Sequence, residues 1–374
     1  MAPMPHNRIL TTGDPRGAGL DPARLRRAAD LVDRWVADDL CPGVSLLVAR
    51  RGVVALSHCA GSAGHGPVSD DTVFLIASIT KAVTATAVML LVEQGLVALG
   101  EPVCRIVPEF TREGRERVTV WHLLTHTSGL PAQPADNIEI RRAHRGLDAF
   151  IAAACREPLA FAPGTRISYS NPGFGLLGEI VARVATPLPA FAREAIFAPL
   201  GMVDSYLLPP DRIVARAAHV RLAPGEEPTD YDANSAYWRS VANPWGGLFT
   251  TARDLALFCQ CFLNGGTYGG TRVLSPAAVA AMTAEHAGPH LVPADGTLAP
   301  VSRGLGWDRR GGKRGSCFGD LVSGATYGHT GVTGTMMWAD PDRELLCVLL
   351  TNQMNGTGRA RLGCLSNVVA GACV

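Results

Sequence analysis

No stretch of this sequence is long and apolar enough to suggest a membrane span: the apolar run that follows Lys81 is cut by Glu93 and Gln94. The N-terminal MAPMPHNRILTTGDPRGAGLDP is polar and rich in proline and glycine, without the apolar centre of a signal peptide, so a cytoplasmic protein is expected. Charge of one sign is equally scarce. Thirty-four basic residues face 33 acidic ones, a net charge of +1 with no block of either sign, so neither nucleic acid nor a membrane surface is an expected partner. The ten cysteines include no C-x-x-C pair and read as reduced, mostly buried thiols. Glycine-rich NGGTYGGTR, Asn264 to Arg272, lacks the G-K-[ST] ending of a phosphate loop and reads as a turn. His122 and His126 in WHLLTH have helical i, i+4 spacing, but no acidic residue lies between them and no third ligand is evident. They read as structural, and neither a metal nor any other cofactor is expected.

What is present is enough for a large core and two lobes: 374 residues, 47% of them hydrophobic. GVSLLVARRGVVALSHCAG, Gly43 to Gly61, holds two β-type runs around an Arg-Gly turn, and VTGTMMWADPDRELLCVLLTN, Val332 to Asn352, repeats the pattern with its turn at Asp340 to Asp342. Both hairpins are nearly apolar throughout, as in strands covered on both faces. Helical periodicity marks Asp21 to Asp38, Ser78 to Leu99 and Arg359 to Ala370 as the cover. Between the hairpins, short helical stretches such as LDAFIAAAC, GFGLLGEIVARVA and ARDLALFCQCFLN alternate with Pro- and Gly-rich loops. The expected architecture is α/β (α+β): residues 1–103 and 300–374 form a lobe with an antiparallel sheet flanked by helices, and residues 104–299 an inserted, mostly helical lobe. The cleft between them is the natural site.

The helix-like run FLIASITKAVTATAVMLLVEQG carries a single lysine, Lys81, one turn after Ser78. On a helix the two side chains share a face, and a lysine kept neutral by desolvation can take the proton of a serine hydroxyl. Alone, S-x-x-K is weak, arises by chance in a chain of this length, and is better explained by a lysine that snorkels to the surface. Two further patterns lie downstream: Tyr169 and Asn171 in PGTRISYSNPGFGLLGEI, just before an apolar helix, and His329, Thr330 and Gly331 in YGHTGVTGT, at the start of the second hairpin. Either alone is an ordinary loop.

Together, and in this order, the three patterns resemble those of the class C β-lactamase superfamily, which includes penicillin-binding DD-peptidases, carboxylesterases and acyltransferases of natural-product pathways. The resemblance runs from about Gly43 to Asn352. It is carried by Ser78-x-x-Lys81, Tyr169-Ser170-Asn171 and His329-Thr330-Gly331, with support from LLTHTSGLP at Leu123, PLGMVDS at Pro199 and GGLFTTARDL at Gly246. It implies a β-lactamase/transpeptidase-like fold and an acyl-enzyme formed at Ser78. Lys81 and Tyr169 would share the general-base work, either of them taking the proton, and Asn171 would hold Lys81 and substrate. The backbone N–H groups of Ser78 and Val332 would form the oxyanion hole, a contribution of about 3 kcal/mol per donor. By the same resemblance Gln133 would contact substrate amide groups, the alternative being an ordinary surface-loop residue; Trp245 in NPWGGL is a candidate pocket wall, the alternative being ordinary core packing.

The chain departs from the family pattern at His329, where a lysine usually begins the third motif and holds a substrate carboxylate. A histidine is mostly neutral at pH 7, so an ester or amide acyl group without an essential carboxylate is expected. The resulting expectation is a serine hydrolase, most simply a carboxylesterase, acting on a small-molecule ester or amide. The alternatives are a transacylase with an amine or alcohol acceptor, a β-lactamase or DD-peptidase, and, from another class, a non-catalytic binding module. The sequence leaves the acyl donor, the pathway and the oligomeric state open.

Overall fold

Capping residues set the helix starts. The Asp21 carboxylate accepts the N–H groups of Ala23 and Arg24, and Pro22 fills the first turn of a helix over Pro22–Ala37. Ser170 accepts from Gly173 N to start Asn171–Val184, and Thr251 accepts from Asp254 N to start Ala252–Leu263. A computed structural model describes residues 7–287, 291, 293–294, 301–354 and 358–374.

Eleven strands are described: β1 (Thr11–Thr12), β2 (Gly43–Arg50), β3 (Val53–Gly61), β4 (Phe74–Leu75), β5 (Phe249–Thr250), β6 (Thr267–Tyr268), β7 (Thr271–Arg272), β8 (Asp308–Arg309), β9 (Tyr327–Thr330), β10 (Met336–Asp340) and β11 (Leu345–Thr351). Seven make one sheet, in the order β1-β3-β2-β11-β10-β9-β8. All its pairs are antiparallel except the short edge pair β1 and β3. The expected hairpins are β2–β3 and β10–β11. His329 and Thr330 instead belong to a separate strand, β9, that pairs with β10 in the register His329 to Met337. The NGGTYGGTR stretch is the two-residue hairpin β6–β7, its turn made by Gly269 and Gly270 at positive φ.

Alternation along the strands divides two cores. Val44, Leu46, Val48, Trp338, Cys347 and Leu349 face the Pro22–Ala37 and Gly358–Ala370 helices, which pack on each other. Leu47, Ala49, Met337, Leu346 and Val348 face the other way, toward the Ala252–Leu263 helix. That helix lies in the stretch expected to form the helical lobe, yet it packs on the sheet. The expected lobe boundary at residues 299 and 300 lies outside the described residues. Cover on both faces holds for β2, β10 and β11 but not for β3, which is largely half-exposed because only the two-residue β1 lies beyond it. Among the described residues, no single helix is long and apolar enough to cross a membrane.

The expected Ser78–Leu99 helix is a 3-10 turn, Ala77–Ile79, followed by an α-helix over Thr80–Glu93 that ends before Gly95 at positive φ. Ala77 itself has φ +47°, a conformation that costs a non-glycine residue and holds only where its surroundings fix it. Those surroundings are explicit: Ile76 N donates to Leu248 O, Thr80 Oγ1 donates to Ala77 O, and Thr333 and Thr335 donate to the carbonyls of Leu75 and Ile76.

Candidate active site

Between Thr72 and Leu91 every residue is buried but one, and that one is Ser78. It opens into a cavity of about 420 Å³ lined by Tyr169, Arg303, Asp308, His329, Val332 and Arg359 among others. Gly331 brings the third motif against the serine turn: a Cβ there would collide with Ile76 O and Thr335 Oγ1. Val332 is exposed to the cavity mouth. Among the described residues, neither the Ser78 nor the Val332 amide donates a hydrogen bond outside its own element, which leaves both N–H groups free for an oxyanion.

Lys81 is fully buried. Its Nζ lies 3.3 Å from Ser78 Oγ and donates to Trp245 O at 2.8 Å, while the ring of Tyr169 stands 4.6 Å away and that of Phe174 5.6 Å. Burial, reinforced by the Arg303 cation, pushes the amine well below the usual lysine range. The neighbouring Ser78 hydroxyl favours the ionised Tyr169 phenol, yet burial outweighs it and raises the phenol to about 12. Burial therefore biases the pair toward a free amine and an intact phenol. Turnover limited by chemistry should fall on acidification through one ionisation well below the lysine range, as the ammonium forms, and show no alkaline loss from Tyr169 until near pH 12. The apparent value belongs to the Ser78, Lys81 and Tyr169 set. A kcat/KM profile whose acid limb lies near the ordinary lysine value of 10.5 would contradict this arrangement.

His329 is buried, and burial foremost, with the Lys81 and Arg303 side chains, lowers its pKa to about 3. Its Nδ1 faces Thr330 O at 2.8 Å and must donate there, so Nε2 is left as an acceptor. The third motif thus carries no charge, as its sequence suggests. The cavity nevertheless does. Arg303 stands over the Tyr169 ring at 5.7 Å, its Nε is buried with no partner among the described residues, and its ion pair with Asp308 is long at 3.9 Å. Lys313 holds Asp308 at 2.5 Å; burial would raise that carboxyl, but Arg303 and Lys313 outweigh it and keep it near 2. A fixed cation therefore does face the cavity: Arg303, on the loop before β8, supplies it.

The remaining expected site residues are placed as follows. Asn171 is the first residue of its helix, and its Oδ1 is buried with no partner among the described residues; Lys81 finds its acceptor at Trp245 O instead. The Trp245 ring packs edge-on against Phe150 in the core and is not part of the cavity lining, so its contribution is its carbonyl and not a wall. Gln133 is exposed and lies outside the lining of the cavity. His122 caps a helix, its Nδ1 accepting from Thr119 N, while buried His126 accepts from Ser170 N and packs its ring 4.6 Å from that of Tyr169, tilted by 33°. Supporting Tyr169 was not foreseen for His126, and neither the capping nor the ring packing is encoded in the spacing of the two histidines. Among the described residues no cluster of three or more His, Cys, Asp or Glu side chains is arranged to hold a metal.

A sequence model of the family described as Beta-lactamase matches residues 28–363. A Salmonella agona (strain SL483) protein that carries the provisional name D-alanyl-D-alanine carboxypeptidase is 27% identical over 388 residues, covering 92% of this chain and 86% of that protein. Among solved structures, a penicillin-binding protein homologue from Caulobacter crescentus is similar with a TM-score of 0.79 and 26% identity, over 95% of this chain and 99% of that one. A family VIII carboxylesterase is similar with a TM-score of 0.78 and 25% identity, over the same shares.

Proposed function

From the premise that the chain belongs to the β-lactamase family of serine acyl-enzyme hydrolases, we propose that it is a carboxylesterase whose nucleophile is Ser78 and whose base is Lys81. The observation that carries the reading is the 3.3 Å contact of Ser78 Oγ with a fully buried amine whose pKa burial lowers well below the usual lysine range, beside a phenol that burial raises to about 12. Ser78 Oγ attacks the ester carbonyl and its proton passes to Lys81. The oxyanion is met by the amides of Ser78 and Val332. The C–O bond then breaks, and the Tyr169 hydroxyl, next to Ser78, hands a proton to the departing alkoxide and is reprotonated from Lys81. Water, activated by the same amine, releases the acid. An alkoxide needs less help to leave than an amide nitrogen, which favours ester donors at a site with no stronger acid in contact with Ser78. Similarity to the family VIII carboxylesterase supports the same reading. Comparing turnover of 4-nitrophenyl acetate and butyrate, a peptide amide and a chromogenic cephalosporin tests it: the esters should be turned over fastest. Hydrolysis of the amide or the cephalosporin with inert esters would overturn it. Adding a primary amine separates the transacylase alternative, in which amide forms at the expense of acid.

A second reading, a β-lactamase or DD-peptidase, is favoured by one observation, the partly unpartnered Arg303 in the cavity. If Arg303 anchors a carboxylate, Arg303→Met should slow acylation by the cephalosporin roughly 10- to 100-fold, the equivalent of one charge-assisted hydrogen bond of about 1.5–3 kcal/mol. Acetate ester turnover, compared at a pH above the acid limb of both proteins because Arg303 also helps lower the Lys81 pKa, should stay within about threefold. Stopped-flow acylation of parent and variant measures both, and equal cephalosporin rates would remove this second reading.

A further inference from the structure

Lys81 has its acceptor on a peptide from a distant part of the chain, and that peptide is itself held in place. Pro244 and Trp245 run between the Thr80–Glu93 helix and the Asn171–Val184 helix. On the first helix three successive inward groups grip the passing chain: Thr80 Oγ1 accepts from Leu248 N at 3.0 Å, Lys81 Nζ donates to Trp245 O at 2.8 Å, and Thr84 Oγ1 donates to Pro244 O at 2.7 Å. On the second helix two glycines leave the room the segment needs. A Cβ at Gly178 would collide with the Pro244 ring, and one at Gly175 would press on the Trp245 ring at 3.3 Å. Asn243 O closes the following turn by accepting from Gly246 N and Gly247 N.

We propose that Thr84 is a positioning residue for Lys81, acting through the Pro244–Trp245 peptide to fix the direction of the Lys81 lone pair. The proposal rests on the reading of Lys81 as the base. A neutral amine has two N–H groups and one lone pair, and its Cε–Nζ bond turns freely unless something holds it. A carbonyl can only accept, so Trp245 O commits one N–H and leaves the lone pair free to face Ser78 Oγ. When Lys81 takes the serine proton, the ammonium forms in a fully buried place, where the same carbonyl is its fixed partner. Thr84 is fully buried and one turn beyond Lys81 on the same face; it holds the neighbouring carbonyl and with it the tilt of the Trp245 peptide. Thr84 touches neither the reacting atoms nor the cavity lining.

Thr84→Val keeps the shape and removes the donor, whereas Thr84→Ser keeps the donor. With 4-nitrophenyl acetate, Thr84→Val should lower kcat roughly 10- to 100-fold, the scale of a small misplacement of a catalytic group, with KM within about twofold. The acid limb of its pH profile should move to lower pH, because the ammonium has lost a well-placed acceptor. Thr84→Ser should restore both. Should Thr84→Val fail to fold, Gly178→Ala, which displaces Pro244 from the opposite side, carries the same expectation. A variant with parental kcat per folded molecule, or one whose kcat falls with an unmoved acid limb and no rescue by Thr84→Ser, overturns the inference. Ser78→Ala in the same assay separates the two levels. If it is inactive while Thr84→Val is unaffected, only the role of Thr84 fails; if it is active, the reading of Ser78 as nucleophile fails first.

Discussion

Ser78→Ala is expected to lower ester turnover at least about a thousandfold, the scale seen when a covalent nucleophile is removed. The change takes one oxygen from a partly exposed position and leaves the backbone as it is. The turn that presents residue 78 is held by bonds from residues 80, 248, 333 and 335, none of which involves the serine hydroxyl. The oxyanion amides should therefore survive, and the small residual rate should reflect them and not a second nucleophile. Tyr169 loses the neighbouring hydroxyl, but its ring keeps its packing on His126. Purified Ser78→Ala with the parental melting temperature and near-parental turnover would show that the nucleophile lies elsewhere.

Lys81→Met should fall nearly as far in rate and move the other way in stability. Removing a general base typically costs a factor of about 10²–10⁴, and here the side chain lost is also the one hydrogen-bonded to the nucleophile. The folded protein holds Lys81 well below its ordinary pKa of 10.5 by burying it. Between the folded and the ordinary value the unfolded chain binds a proton that the folded chain refuses. Lys81 therefore costs stability at neutral pH, and that cost fades as pH rises past the ordinary value. Methionine has a similar length and no charge to desolvate. It leaves one carbonyl, Trp245 O, without its donor, a penalty of about 1–3 kcal/mol that offsets part of the gain. The expected result is an inactive enzyme with a melting temperature at or above the parent's at pH 7, the gap narrowing at alkaline pH. An inactive variant that is also markedly less stable would mean that the amine is structural.

Which parts were readable in advance follows from what kind of information each needs. The β2–β3 and β10–β11 hairpins and the helices at both ends of the chain were legible, because turn residues, caps and apolar periodicity are local. Ser78 and Lys81 were legible as a pair for the same reason, being one helical turn apart. That they would meet Tyr169 and His329 came from the resemblance, since nothing local brings residues so distant in sequence together. Two features had no local signature at all. Trp245 acts through its carbonyl, and a backbone group cannot be read from residue type; the ring, which can, lies in the core. Arg303 is one arginine among many in the sequence, and only the packing of its loop on the Thr80–Glu93 helix, where Gly306 fits against Ala85, turns it toward Ser78. The neutral third motif follows from residue type at His329, whereas the charge of the cavity depends on how that second loop packs.

The most direct measurement is the intact mass of the protein acid-quenched during turnover of an activated ester, followed by peptide mapping. If Ser78 carries the reaction, the protein gains the mass of one acyl group, the group maps to Ser78, and it disappears as substrate is exhausted. Turnover with no covalent adduct under conditions where deacylation is slowed, or a turnover-competent adduct on any other residue, would contradict the account.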